Sequence, residues 1–201
     1  MKIKLIAFNT LVDYEGSKDL LSKKGRRTAL MIFVSGIHGV GKSHFCARVK
    51  EILGIDTYSA SSLIMEKKKC DFSRDKLVSE MDNNQAYLLQ ALTDLKVSKE
   101  KFILDGHFCL LNVSGEICRI SCETFIAMHP DAIILLTEKE DVISSRRKER
   151  DNLEVSPEDI CIFQREEKKY AKEIAATLNA QLFISSGADD LHRAIDFIKT
   201  L

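Results

Sequence analysis

The chain has 201 residues, 45% of them hydrophobic and 30% charged, with 30 Lys and Arg balanced by 30 Asp and Glu. That length suits one domain with a full core, and the zero net charge provides no global field to draw in nucleic acid or an anionic membrane. No apolar run approaches the roughly 20 residues of a membrane span, and the apolar stretch near the start is too short for the core of a signal peptide, so a soluble, cytoplasmic protein is expected.

The six cysteines are scattered, and no Cys or His pair completes a zinc set with Cys118 and Cys122. They read as free thiols of a reducing compartment. Residues 1–28 read as an N-terminal arm. Ile3, Leu5 and Phe8 fit a short strand, and the basic stretch with Lys23, Lys24, Arg26 and Arg27 fits a solvated linker better than a nucleic-acid contact.

From residue 29 the pattern is regular. The run ALMIFVS is apolar without alternation, as a strand buried on both faces should be. It enters GIHGVGKS and then HFCARVKEIL, which has helical spacing. IDTYS predicts a second strand, SASSLIMEKKK a helix, and FSRDKLVSEM and NNQAYLLQALTDL two more. KFILDG is the third strand, and HFCLLNVSGEICRIS a hairpin turning at Ser114-Gly115. DAIILLT is the fourth strand, followed by a helix from EDVISSRRKER. A long helix covers SPEDICIFQREEKKYAKEIAATLN, with Ser156 as N-cap and Pro157 at its first position. QLFIS is the fifth strand and DDLHRAIDFIKTL the closing helix. Five apolar strands alternating with helices predict an α/β domain with a parallel sheet covered on both faces.

Gly36-Ile37-His38-Gly39-Val40-Gly41-Lys42-Ser43 fits G-x-x-x-x-G-K-[ST] without mismatch. Glycines let backbone N–H groups wrap a polyphosphate, and the following helix adds its positive end. Lys42 suits the β- and γ-phosphates of ATP or GTP, and the Ser43 hydroxyl suits Mg2+. The buried strand before the motif and the helix after it are the context a phosphate loop requires. Residues 36–43 with His44 are therefore the expected nucleotide site.

The third strand ends in Asp105-Gly106-His107. Asp105 suits the magnesium shell, and no Glu follows it to polarise an attacking water, which favours transfer to an acceptor over hydrolysis. Gly106 is read as leaving room for a substrate. Arg146, Arg147 and Arg150 offer the cations that a phosphoryl transition state needs, with Arg146 and Arg150 on one helix face. His38 and His107 either serve as donors or proton shuttles near neutral pH or merely fill the loop and cap the hairpin. An acceptor hydroxyl without a phosphate needs a base, and Asp105 is the best one offered.

This order of pieces resembles the adenylate-kinase-like nucleotide kinases of the P-loop NTPase class, in particular the archaeal-type adenylate kinases, over about residues 30–201. The resemblance implies a five-stranded sheet ordered 2-3-1-4-5 with helices on both faces. It also implies an acceptor-binding insert at about 56–98, a short lid at about 146–157, and transfer of the γ-phosphate of Mg-ATP to a nucleoside monophosphate or similar small acceptor. By that resemblance Asp105 is the magnesium-shell acid and Arg146, Arg147 and Arg150 are lid cations. Arg74 and Gln85 would seat the acceptor. Where the family has a second acceptor arginine this chain offers His107, with Arg119 the nearest later cation. Two other readings are a regulatory nucleotide switch that signals through the arm, and a kinase for nucleic-acid ends; the neutral charge balance speaks against the latter.

Overall fold

The computed structural model describes residues 29–70, 80–187 and 190–201. In chain order these form β1 (Leu30–Ser35), α1 (Lys42–Leu53), β2 (Asp56–Ser59), α2 (Ala60–Cys70), α3 (Glu80–Ser98), β3 (Lys101–Asp105), β4 (Cys109–Leu111) and β5 (Ile117–Arg119). They continue with α4 (Cys122–Met128), β6 (Ala132–Thr137), α5 (Glu140–Asp151), α6 (Pro157–Leu178), β7 (Gln181–Ser186) and α7 (Leu191–Thr200). Among the described residues no helix is long and apolar enough to cross a membrane.

The five apolar runs pair in parallel in the order β2-β3-β1-β6-β7, and β4 and β5 form a separate antiparallel ribbon. With the ribbon strands set aside, this is the expected order 2-3-1-4-5. Met31 to Val34, Phe102 to Leu104 and Ala132 to Leu135 are all buried, on both faces of the pleat. The sheet is therefore covered on both sides, as unalternating sequences require. Each such side chain other than Ala132 contributes about 1.5–3 kcal/mol on burial. On α6 the residues Ile160, Phe163, Tyr170, Ala171 and Ile174 recur at helical spacing and are buried. The Ser156 hydroxyl accepts from the Asp159 N–H at 3.1 Å, as an N-cap should.

One element was not expected, and some expected segments take a different form or lie outside the described residues. Helix α4 is not evident in the sequence, because seven residues between a hairpin and a strand give too few turns to establish a period. The region expected as a short lid, 146–157, is half helix: α5 runs to Asp151 and α6 begins at Pro157. The five residues between are tied down, with the Ser144 hydroxyl donating to the Val155 carbonyl at 2.9 Å and Lys148 paired with Glu154 at 2.7 Å. The arm 1–28 and most of the helix expected at 72–81 lie outside the described residues; its last two residues open α3.

This order makes the connections leave β1 and β3 in opposite directions, one toward β2 and the other over β1 to β6. The crevice at the carboxyl ends of two such strands is where open α/β sheets bind ligands. In register, Asp105 at the end of β3 stands opposite Val34 of β1 and Ser59 of β2.

Candidate active site

Residues 36–41 carry the chain from β1 into α1. Gly36 has φ +146, and a Cβ there would lie 2.6 Å from the Leu136 carbonyl oxygen, so no other residue fits. Lys42, the first residue of α1, is only 9% exposed. Its Nζ donates to the carbonyls of Gly36 at 2.6 Å and Ile37 at 3.4 Å. Burial lowers its pKa most, while Asp105 and Glu167 pull it back up. Ser43 and His44 are exposed and border the same cleft, a space of about 990 Å³.

Asp105 also borders this cleft, and its buried Oδ1 has no partner among the described residues. Burial raises its pKa, and Lys42 counters the shift. Cys46, on the first turns of α1, has its thiol pushed up to about 12 by burial and by Asp105, so it stays protonated and is no nucleophile. The missing Cβ of Gly106 makes room for Phe33, whose Cε2 would lie 2.7 Å from it. The expectation that this glycine leaves space for a substrate is thus corrected: the ring of Phe33 takes the space.

His38 and His107 meet ring to ring, with centroids 4.4 Å apart. Burial, then Lys42 and His38, lower the His107 pKa to about 3. It is therefore neutral at working pH, which removes it as a proton shuttle near neutrality; its Nδ1 has no partner among the described residues. The His38 pKa is also lowered, first by burial and then by Lys42, Arg147 and Arg150.

The three arginines of α5 divide. Arg146 lies over the loop and donates to the carbonyls of Val40 at 3.2 Å and Gly39 at 3.4 Å, with Glu138 on its other side. Arg150 borders the cleft and forms a two-pronged pair with Asp151 at 2.7 Å. Arg147 turns to the back of the loop, where its Cγ would touch a Cβ at position 39 at 2.9 Å. Helical spacing thus brings Arg146 and Arg150 to the cleft and leaves Arg147 against its wall.

On the acceptor side Gln85 borders the cleft together with Asn84 and Leu88 of α3. Arg74 lies outside the described residues. Arg119 is corrected: its guanidinium pairs with Glu173 at 2.7 Å and Glu166 at 3.2 Å and lies 4.6 Å from the centre of the Tyr170 ring. It anchors the ribbon to α6 and does not border the cleft.

The sequence reading missed Glu167. It is 1% exposed, accepting from the Ser35 hydroxyl at 2.5 Å, the Cys109 N–H at 2.7 Å and the Phe108 N–H at 3.0 Å. One carboxylate thus joins the residue before the phosphate loop to the two residues after Asp105-Gly106-His107. The signal was available: Glu167 interrupts the apolar stripe of α6 at a position where spacing demands a buried residue. Glu167→Gln keeps the shape but leaves at least one of three donors unpartnered, so unfolding in urea should show a loss of about 1–3 kcal/mol. An unchanged midpoint would show that the clamp is not holding these strands.

The residues fit a magnesium ion. A hydroxyl at Ser43 and an unpartnered carboxylate oxygen at Asp105 border one cleft beside the phosphate loop, and hard oxygens are what that ion takes.

Comparison with known proteins agrees with this architecture. A family model described as AAA domain matches residues 35–161. No curated protein matches the chain. Among solved structures, a candidate kinase of Chloroflexus aurantiacus shares 15% identity at a TM-score of 0.55, with 87% of this chain and 98% of that one covered. The protein TT1252 of Thermus thermophilus shares 14% identity at a TM-score of 0.53, with the same coverage. A gluconokinase of Sinorhizobium meliloti shares 16% at a TM-score of 0.48, again over 87% and 98%. The likenesses to the Chloroflexus and Thermus proteins are of fold alone.

Proposed function

The chain belongs to the AAA-domain family, and we propose that it is a P-loop phosphotransferase, moving the γ-phosphate of Mg-ATP to a small acceptor of nucleoside or nucleotide type. One observation carries this reading: the cleft that borders the phosphate loop is also bordered by α2, α3 and α4, through Ile64, Leu88, Phe125 and Met128. Water needs no such apolar wall; a second substrate does. Asp105 followed by Gly106 instead of Glu points the same way.

The loop amides and Lys42 bind the triphosphate, and Arg146 and Arg150 stand where charge spreads onto the transferred group. Ser43 and Asp105 would hold Mg2+, whose chemistry is to neutralise charge on the β- and γ-oxygens. Gln85 and His107, with Arg74 of the insert, would seat the acceptor, and the acceptor oxygen would attack in line with the bond to the β-phosphate. Incubation with γ-labelled ATP, magnesium and a panel of small acceptors tests this. Label should pass to one compound class, whereas slow phosphate release with no labelled acceptor would favour a regulatory switch.

A further inference from the structure

The pairing of β1 with β3 ends where the site begins. Its register runs from Leu30 with Lys101 to Val34 with Asp105, and just past it the Gly106 N–H donates to the Val34 carbonyl at 3.0 Å. Beyond that bond the chains part, β1 into the phosphate loop and β3 through His107 into the ribbon. Glu167 takes over at the parting. Its Oε1 accepts from the Ser35 hydroxyl and the Phe108 N–H, and its Oε2 from the Cys109 N–H. The residue after Ser35 opens the phosphate loop, and the residue before Phe108 is His107, with Asp105 two further back.

Packing alone asks for no acid there. Glu167 is the most deeply buried acidic side chain among the described residues, in a stripe otherwise made by Ile160, Phe163, Tyr170, Ala171 and Ile174. A buried charge is weak evidence for stability, since an apolar side chain of similar volume often serves as well or better. What a carboxylate supplies is two acceptor oxygens at a fixed spacing, able to hold three donors from two diverging chains. The backbone held in this way also sets rings. Phe108 packs edge-on against Phe33 with centroids 5.1 Å apart and lies 4.8 Å from the ring of Phe125, which borders the cleft from α4. Glu167 itself does not border the cleft.

We propose that Glu167 is a positioning residue for phosphoryl transfer, setting the segment from Asp105 to His107 against the phosphate loop and, through Phe108, the Phe125 wall. The proposal rests on the phosphotransferase reading above. An amide in place of the carboxylate has one oxygen and one NH2 group. Whichever way it turns, the NH2 faces a main-chain N–H, of Phe108 or of Cys109, and the two donors push that backbone away. A displacement of about 1 Å at reacting groups can cost about 10²-fold in rate.

The test compares parent, Glu167→Gln and Ser35→Ala as full chains, at a temperature below all three unfolding midpoints. Ser35→Ala removes one donor and strands no partner, since Oε1 keeps the Phe108 N–H, so its midpoint should stay close to that of the parent. Calorimetry measures Mg-ATP binding. Single-turnover runs with γ-labelled ATP measure transfer to nucleosides, nucleoside monophosphates and simple sugars. Binding should stay within about threefold in both variants, while transfer falls about 10–100-fold in Glu167→Gln and about 3–10-fold in Ser35→Ala. A brace that served folding alone would leave transfer by the folded variants at the parent rate, and that result would overturn the proposal with the kinase still standing. Loss of Mg-ATP binding in step with transfer would also overturn it, by assigning Glu167 to the nucleotide site. Should Glu167→Gln not fold, Ser35→Ala decides by the same criteria. A parent that binds Mg-ATP and labels no acceptor would overturn the phosphotransferase reading, and this proposal with it.

Discussion

Lys42→Ala is expected to lower the rate of phosphoryl transfer by at least about 10²–10³-fold with little change in folding. The ammonium sits at the floor of the loop, 9% exposed, where low water content strengthens its pull on developing charge. Its partners in the protein are main-chain oxygens of Gly36 and Ile37 bordering an open cleft, which water can satisfy once the side chain is gone. Truncation also removes a charge whose pKa is already lowered by burial, so the fold loses a strained group as well as two hydrogen bonds. Single-turnover transfer and a thermal unfolding midpoint, measured side by side, check this. Equal transfer rates in mutant and parent would take Lys42 out of the mechanism.

Asp105→Asn should produce the second large effect and a different signature: loss of turnover by at least about 10²-fold, as when a group that neutralises transition-state charge is lost, with stability at neutral pH held or raised. The sign follows from the raised pKa. Between the ordinary carboxylate value and the raised one, the folded protein holds a proton that the unfolded chain has released. Stability therefore falls as pH rises through that window. Asparagine cannot ionise and removes the slope. Activity should run the other way, because only the ionised carboxylate can serve Mg2+, so turnover of the parent should fall as pH drops through the same raised value. His107, neutral above about 3, adds nothing to that limb near neutrality. A pH–rate profile of Asp105→Asn that kept the acid limb unchanged would assign it to another group.

The phosphate loop and the sheet were legible because each follows from local rules. Unalternating apolar runs give strands buried on both faces, and glycine spacing ahead of a Lys-Ser pair leaves the loop little choice. The cation pair Arg146 and Arg150 was legible for the same reason, since four residues make just over one helical turn. Features that depend on distant partners were not. The space at Gly106 belongs to Phe33, seventy-three positions earlier. Arg119 looked like a spare acceptor cation but is held by Glu166 and Glu173 of α6. Thr124 and Asn84 are ordinary helix residues until α3 and α4 are seen to border one cleft.

Glu167 sets what in this site is fixed. By gripping the end of β1 and the backbone just past Asp105 with one carboxylate, α6 rivets the start of the phosphate loop and the end of β3 into a single jaw. The tether from Arg119 to the same helix extends that jaw to the ribbon. The spacing between the phosphate loop and the Asp105 carboxylate is therefore set at folding.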